Sequence, residues 1–449
     1  MREHIIDELR PEDPQIDPVW RAETVRAILD RDTSDSGMHA RRTRRALARV
    51  AAVAAAVAVM IGGVVVARDR LPADDVRPAA PISTTKFQRL DPSTARTLDL
   101  DVVADLPATY EGDRVLFHDF AGERAVVGSV IPEPPEGAET AGMPILAQSL
   151  PVIYDLDSER FTVLDDSERP EVTQIATMTG DESTVVWVEV IGTTIDHSVF
   201  TIYSYNRRTQ QTRALAEFDD PDGQIVYGND LVMAGDTAYF STPTYPKKRG
   251  QEAVYSVPVD GSTQPTELAS GAAKVQIAGD TLTYVVADPN DDMAYPTYVR
   301  YDLRSGRTTS VPVSSHVDEQ GFCGAEFSAT YETWCVGREF ADERATPALL
   351  TIEETSGRTT EFAPFPIDPD NVPAPHGIMT LGPWTRILVT TEDGQERAYL
   401  ADLDAGDIAV FPDNTSFGAL SRDQSTVLVS LRRGSSSWRQ QVVRMPGTD

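Results

Sequence analysis

A unit of two β-type runs joined by a polar turn recurs along the chain about every 50 residues. Its clearest copy covers residues 298–313, where the turn Arg-Ser-Gly-Arg separates two runs rich in Tyr, Val and Thr. Gly306 in this turn can adopt a positive φ without steric cost, as a tight hairpin requires. Corresponding positions of successive copies are Tyr154, Tyr203, Tyr255, Val299, Leu350 and Tyr399. This regular spacing restricts the fold to an array of similar β units.

A second pair of runs precedes these hairpins, so that each unit contains four short strands. Examples are residues 173–178 with 184–190, 230–234 with 237–241, and 274–277 with 282–287. Four strands per unit are typical of a β-propeller blade. The sequence therefore predicts an all-β fold, a seven-bladed β-propeller over residues 93–449, whose seventh unit lies around residues 438–445. Because that unit lacks a fourth strand, residues 93–101 are predicted to pair into the last blade and close the ring.

An apolar segment near the N-terminus is flanked by arginines. Residues 50–67 carry no charge and would span about 27 Å as a helix, close to the ~30 Å hydrocarbon core of a membrane. The flanking residues are Arg41, Arg42, Arg44, Arg45 and Arg49 before it and Arg68 and Arg70 after it. The positive-inside rule then predicts one transmembrane helix over residues 47–67, with a cytoplasmic N-terminus and an extracytoplasmic main domain.

Two alternatives to a retained anchor stay open. Residues 43–47, Thr-Arg-Arg-Ala-Leu, resemble a twin-arginine export signal. Residues 65–67, Val-Val-Ala, are compatible with cleavage of a signal peptide. Either alternative also places the main domain outside the cytoplasm.

Polar segments lie on both sides of the apolar run. Residues 1–46 are predicted to form a cytoplasmic tail, either loosely structured or with a short amphipathic helix over residues 17–30. Asp17 is suited to the N-cap of this helix and Pro18 to its first turn. Residues 68–92 are rich in Pro, Ala, Asp and Ser and are predicted to form a stalk.

The net charge of -30 is unevenly distributed along the chain. Acidic and basic residues balance over residues 1–49, so the whole negative excess belongs to the remainder. An acidic surface repels a phosphate backbone, and nucleic-acid binding by the main domain is therefore not expected.

The chain contains two cysteines, Cys323 and Cys335, in the consecutive candidate strands 321–327 and 331–336. A structural zinc site needs about four ligands, and no Cys or His pair has the spacing of one. Outside the cytoplasm a cross-strand disulfide between these two cysteines is predicted, and two buried free thiols are the alternative.

Motifs that carry chemistry are scarce. There is no Gly-x-Ser-x-Gly motif of a hydrolase, and the six histidines are scattered. The acidic loops 219–223, 288–292 and 368–371 could hold calcium, but none matches an EF-hand loop, and solvated turns explain them equally. We expect no enzyme activity and no cofactor. The tryptophans that fall in strand-like runs are predicted to pack between blades: Trp187, Trp334, Trp384 and Trp438.

One type of turn recurs in the repeats, as Gly-Asp-Glu-Ser-Thr-Val-Val-Trp (180–187), Gly-Asp-Thr-Ala-Tyr-Phe (235–240), Gly-Asp-Thr-Leu-Thr-Tyr (279–284) and Ser-Arg-Asp-Gln-Ser-Thr-Val-Leu (421–428). They resemble the Ser-Pro-Asp-Gly motif of TolB-like (PD40, quinoprotein-like) propellers, although the Pro and the Gly are replaced. The N-terminal layout is similar to that of actinobacterial single-pass, anti-sigma-factor-like membrane proteins, without their zinc-binding motif. These resemblances imply a propeller ectodomain that binds proteins or scaffolds other domains.

Together these features predict a membrane-anchored, extracytoplasmic propeller that binds a protein, peptide or glycan of the cell envelope. The alternative is a single-pass transmembrane regulator, in which the propeller senses an envelope ligand and the N-terminal tail contacts a cytoplasmic protein. The effect of deleting residues 1–40 would distinguish them, since only the regulator needs the tail.

Overall fold

In a computed structural model of the protein, the chain divides into two compact units, Met1–Ala73 and Asp74–Asp449. The residues that the structure describes are 75–76, 87–132, 148–167, 173–194, 197–220, 230–241, 253–286, 297–312, 322–327, 331–336, 348–353, 359–362, 376–381, 383–390, 396–412, 415–423, 425–433 and 437–445. The predicted tail, the predicted span at residues 47–67 and its seven flanking arginines lie outside them. Within the described part, no helix has the length and hydrophobicity of a membrane span.

The described part consists of short β-strands and one 3-10 turn at Pro92–Thr94. The strands of its first half are β1 (Asp75–Val76), β2 (Phe87–Leu90), β3 (Arg96–Thr97), β4 (Val102–Asp105), β5 (Thr109–Tyr110), β6 (Asp113–Phe120), β7 (Ala125–Ile131), β8 (Leu150–Asp155), β9 (Arg160–Val163), β10 (Thr173–Gly180), β11 (Thr184–Thr194), β12 (His197–Asn206), β13 (Gln211–Asp220), β14 (Leu231–Ala234), β15 (Thr237–Ser241) and β16 (Ala253–Pro258). Those of its second half are β17 (Thr266–Ser270), β18 (Ala272–Ala278), β19 (Thr281–Val286), β20 (Thr297–Asp302), β21 (Thr308–Pro312), β22 (Phe322–Phe327), β23 (Tyr331–Val336), β24 (Ala348–Glu353), β25 (Thr359–Phe362), β26 (His376–Leu381), β27 (Trp384–Thr390), β28 (Glu396–Asp402), β29 (Asp407–Val410), β30 (Thr415–Leu420), β31 (Thr426–Arg433) and β32 (Ser437–Arg444).

These strands form seven sheets of four or five strands, numbered here in chain order. Sheet 1 consists of the four strands β6 to β9, with the two-residue strand β5 added beside β6, so that β6 is counted as its first strand. Sheet 2 is β10 to β13, and sheet 3 is β14 to β17. Sheets 4, 5 and 6 are β18 to β21, β22 to β25 and β26 to β29, and they carry β1, β2 and β3, respectively, beside their last strands. Sheet 7 combines β30, β31 and β32 with the N-terminal strand β4. Consecutive strands within each sheet are antiparallel, as short hairpin connections require.

The first strands of successive sheets lie beside one another. Contacts join β6 to β10, β10 to β14, β14 to β18, and β22 to β26, and a further contact joins β30 back to β6. Sheets that follow one another around a common axis, each with its first strand innermost, form a propeller arrangement. The predicted all-β class and propeller arrangement are confirmed.

The six repeat positions identified in the sequence occupy one structural position. They lie in the third strands of sheets 1 to 6, namely β8, β12, β16, β20, β24 and β28. The turn after each of these strands explains part of the repeat. In sheet 4, the Asp302 carboxylate accepts hydrogen bonds from the backbone N–H groups of Arg304, at 3.0 Å, and Ser305, at 2.7 Å, and Gly306 has a φ of 68°.

The prediction of a stalk over residues 68–92 is wrong for Asp75–Val76 and Phe87–Leu90, which form β1 and β2. These strands pair in parallel with β21 and β25, and Leu90 is only 4% exposed among core residues of sheets 5 and 6. The predicted closing segment, residues 93–101, is also displaced. Within it, β3 pairs with β29 of sheet 6, while β4 closes sheet 7 beside β32. Closure by an N-terminal strand is confirmed, but it occurs a few residues later along the chain.

The core consists of separate apolar layers between neighbouring sheets. Trp187 is fully buried between sheets 1 and 2 and stacks on Tyr203 at a ring-centroid distance of 5.4 Å. Trp384 packs against the layer between sheets 6 and 7. These two tryptophans confirm the predicted packing role. The side chains of Trp334 and Trp438 lie outside the described part.

Candidate binding site

The first strand of six sheets contains an irregularity in its pairing with the second strand. These irregularities lie in β6, β10, β18, β22, β26 and β30. A β-bulge adds an unpaired residue, bends the strand and changes the direction of the side chains that follow. In β6 the extra residue is His118, between the paired residues Phe117 and Asp119.

A cavity of about 740 Å³ lies where the first strands converge. Residues of β6, β10, β14, β18, β26 and β30 line it, together with the turns that lead from several of these strands into the second strands. Its apolar lining residues are Phe120, Met178, Leu231, Val232, Met233, Ile277, Met379, Ala419 and Leu420. The cavity is therefore shared by six sheets and belongs to none of them alone.

Charged groups of the lining are predominantly acidic. Among the described residues, the carboxylates of the lining are Asp119, Glu123, Asp181, Glu182 and Asp423, and the guanidinium groups are Arg386 and Arg422. Among the described residues, no group of three or more His, Cys, Asp or Glu side chains is arranged to hold a metal ion. The site is an apolar cavity whose described charged groups are mostly carboxylates.

His118 is a neutral member of the lining at neutral pH. Burial lowers its pKa to about 4, because the low-dielectric surroundings disfavour the imidazolium form. Its Nε2 atom lies 3.0 Å from the Ser129 hydroxyl oxygen, with which it shares a hydrogen bond. His118 therefore does not neutralise the carboxylate of its neighbour, Asp119.

Asp119 is a carboxylate in a buried part of strand β6, where Phe117 and Phe120 are both buried. Burial raises its pKa to about 6, although hydrogen bonds from the Thr179 side chain and the Phe120 backbone N–H partly oppose the shift. The N–H of Phe120 donates to Asp119 Oδ1 at 2.8 Å. Asp119 is thus mainly ionised above pH 7 and mainly neutral below pH 5.

Two other carboxylates of the lining have structural roles in turns. Asp181 Oδ1 accepts hydrogen bonds from the N–H groups of Ser183, at 2.8 Å, and Thr184, at 2.9 Å. Asp423 accepts from the Ser421 hydroxyl, at 2.7 Å, and the Ser425 N–H, at 3.0 Å. They are the aspartates of the recurring turn motif, so the motif is explained by turn geometry.

Glu182 lies at the turn after β10, directly against Gly122 of the turn after β6. Gly122 has a φ of 78°, and a Cβ atom added there would lie 2.4 Å from the Glu182 carboxylate oxygen. A glycine at this position therefore allows the acidic side chain to cross from sheet 2 to sheet 1.

None of the described residues that line this cavity was predicted as a site residue. Cys323 lies at the bulge of β22, and Cys335 of β23 is opposite the next residue, Gly324. The backbone thus places the cysteines close together, but their side chains lie outside the described part, and the disulfide stays a prediction. The acidic loops beyond residue 220, and with them any calcium site, also lie outside it.

Sequence reasoning missed Asp119, Arg386 and the methionines, because their convergence depends on several sheets. One signal was present in β6, where the polar pair His118-Asp119 interrupts a run of core residues. Such an interruption indicates a bulge or a lined cavity, but it does not indicate which other residues line it.

No protein-family profile matches the chain, and no curated protein matches it. Solved structures resemble it at low identity. Acylaminoacyl peptidase of Pyrococcus horikoshii has a TM-score of 0.45 and 10% identity, with 73% of this chain and 51% of the peptidase covered. YCF48 bound to D1 peptide has a TM-score of 0.44 and 9% identity, with 79% of this chain and 100% of YCF48 covered. TolB from Acinetobacter baumannii has a TM-score of 0.29 and 14% identity, with 66% and 80% covered.

These similarities concern the propeller fold alone. TolB is among the similar structures, while the anti-sigma-like anchor was predicted from residues outside the described part. The chain spans about half the length of the peptidase it resembles. The expectation that this protein is not an enzyme stays a prediction.

Proposed function

We propose that the propeller is an extracytoplasmic binding module that takes a peptide segment of a protein partner into the cavity. The cavity itself carries this proposal. Its volume of about 740 Å³ falls within the range of roughly 300–1,000 Å³ that is typical of ligand sites.

The composition of the walls favours a peptide over a glycan. The partly exposed apolar residues of the lining are Val232, Ile277, Met379, Ala419 and Leu420, whereas the other apolar lining residues, Phe120, Met178, Leu231 and Met233, are buried in the layers between sheets. Methionine side chains are flexible and polarizable, and they adapt to apolar side chains of different shapes. A glycan would leave much of this apolar wall without a matching partner.

Selection of displayed random heptapeptides on the full chain, purified in detergent, tests this proposal. We expect enriched peptides to bind the wild-type chain and to lose at least about tenfold in affinity with Ile277→Trp, which fills the cavity from β18. Leu116→Trp is the matched control, because Leu116 is 42% exposed and does not line the cavity. Thermal unfolding verifies that both variants are folded.

Equal binding to both variants would place the peptide elsewhere and overturn the proposal. Recovery of shortened peptides, detected by mass spectrometry, would indicate a peptidase. Binding that is lost only with Ile277→Trp would support the cavity as the site.

We also propose that residues 47–67 anchor the protein, with the N-terminus in the cytoplasm. The uncharged run at residues 50–67 and the arginines on both sides support this orientation. Reporter fusions after Gly37 and Asp449 should show opposite topology on a product of full-length mass. A product shortened by the N-terminal segment and released from the membrane would contradict the anchor.

A transmembrane regulator is the second candidate function, and the candidate helix at residues 17–30 favours it. Such a regulator requires both a retained anchor and a cytoplasmic partner. The same topology measurement decides the first requirement, since a released propeller could not relay a signal to its tail.

A further inference from the structure

The cavity has a charge preference, which follows from the groups that line it. Among the described residues, five carboxylates and two guanidinium groups line it, and His118 is neutral at neutral pH. Walls of low dielectric concentrate the field of such groups inside a cleft and raise the local concentration of oppositely charged ligands. Cationic groups should therefore accumulate in this cavity, and anionic groups should be excluded.

The carboxylates differ in their position and in what already holds them. Asp181 and Asp423 lie in turns, where their oxygens accept hydrogen bonds from serine and threonine groups of the same turn. Glu123 and Glu182 also lie in turns. Asp119 lies within strand β6 and immediately follows its bulge, so it is the acidic group of the cavity wall rather than of the turns.

The guanidinium groups do not cancel this charge where Asp119 lies. Arg386 reaches the cavity from β27 of sheet 6, and sheet 7 separates that sheet from sheet 1, which contains Asp119. Arg422 lies in the turn after β30, next to Asp423. The groups that contact the Asp119 carboxylate are the Phe120 N–H and the Thr179 side chain, and neither carries a charge.

We propose that the peptide segment entering the cavity carries a positively charged side chain, a lysine or an arginine, and that Asp119 is its counter-ion. The inference rests on the proposed function and adds the ligand class. The apolar walls hold the aliphatic part of the side chain, while the carboxylate receives its charged end. Asp119 then becomes a specificity-determining residue, because a neutral side chain brings no opposite charge to this carboxylate, whose hydrogen-bond donors are the Phe120 N–H and the Thr179 side chain.

Three blocked tripeptides, N-acetylated and C-amidated, separate charge from shape: Leu-Lys-Leu, Leu-norleucine-Leu and Leu-Glu-Leu. Binding is measured by calorimetry on the full chain in detergent at pH 7.5. We expect the lysine peptide to bind about tenfold more tightly than the norleucine peptide, and the glutamate peptide to bind least.

Two variants locate the effect. With Asp119→Asn the preference for lysine over norleucine should disappear, while the norleucine peptide should bind as well as before or better. Asp407→Asn is the matched control, since Asp407 is an exposed carboxylate of the outer strand β29, and it should leave the tenfold preference unchanged.

Each outcome separates the inference from the proposed function. If the norleucine peptide binds as tightly as the lysine peptide, the charge preference is overturned while peptide binding stands. A lysine preference that survives Asp119→Asn overturns the role of Asp119. If none of the tripeptides binds at 1 mM although displayed heptapeptides do, the inference is overturned and the proposed function is not.

Discussion

At the scale of single residues, Asp119 combines a position in the cavity wall with a cost to the fold. Burial of a carboxylate in an apolar cavity wall disfavours its ionised form, and this is why its pKa is raised to about 6 from an ordinary 3.8. Groups that are kept in unfavourable surroundings are typical of functional sites. Asp181 and Asp423, whose sequence surroundings resemble each other, instead stabilise their turns.

The raised pKa of Asp119 predicts whether this carboxylate stabilises or destabilises the fold at a given pH. Because the pKa of Asp119 is raised, the folded protein binds more protons than the unfolded chain between about pH 4 and pH 6. The stabilisation that results is present at low pH and is lost as the pH rises through about 6. We therefore expect Asp119→Asn to raise the free energy of unfolding at pH 7.5 by about 1–3 kcal/mol and to have little effect at pH 4.

Denaturant unfolding of both proteins at several pH values measures this difference. The other titratable or charged groups of the cavity are His118, Glu123, Asp181, Glu182, Arg386, Arg422 and Asp423, and they are common to both proteins. His118 has the opposite effect, because its lowered pKa costs stability as the pH falls toward 4. A variant that is less stable than wild type at pH 7.5 would show that Asp119 is a structural residue.

At the scale of elements, the N-terminal segment forms a belt along the outer edges of sheets 4 to 6. β1, β2 and β3 each add one short parallel strand to the last strand of a sheet. Covering an edge strand prevents it from pairing with another chain. The belt also contributes to the core, since Leu90 is buried among Tyr331, Phe362 and Tyr399.

Polar contacts join the same sheets. The guanidinium of Arg300 in β20 lies 3.2 Å from the carboxylate of Glu332 in β23, and both side chains are buried. The Thr380 hydroxyl donates to Thr333 at 2.6 Å between sheets 5 and 6. The belt and these contacts together hold sheets 4, 5 and 6 as one group.

Leu90→Ala tests whether the belt is part of the folded domain. Removing this buried side chain leaves a cavity between sheets 5 and 6, and we expect a loss of about 2–5 kcal/mol in the free energy of unfolding. Arg89→Ala is the control, because Arg89 is the exposed neighbour in the same strand. Equal stability of the two variants in denaturant unfolding would mean that the segment is a stalk after all.

At the scale of the whole propeller, the ends of the domain are joined by contacts between residues more than 300 positions apart. β4 pairs with β32, and Arg444 Nε donates to Asp101 at 2.9 Å. The Gln440 side chain reaches from β32 to the bulge of β6. It accepts from the Phe117 N–H at 2.7 Å and donates to the Phe117 carbonyl at 2.9 Å. These buried hydrogen bonds join sheet 7 to sheet 1 and close the ring.

Local patterns in the amino-acid sequence were sufficient to predict the all-β class, the four-strand units and many of the strand positions. The candidate strands 331–336 and 237–241 coincide with β23 and β15. These features are local, because alternating apolar residues and aspartate-capped turns act over fewer than about ten residues. Repetition then reinforced each local signal.

Only the tertiary structure decided the belt, the closing strand and the cavity. β1, β2 and β3 are two to four residues long, and they exist only because the edges of sheets 4 to 6 are present to accept them. The cavity joins Asp119, Met233 and Arg386 from three sheets, and their proximity depends on how the ring closes. Contacts between residues so distant in the chain leave no periodic pattern in the sequence, because each partner is specified by its own local surroundings and meets the other only after folding.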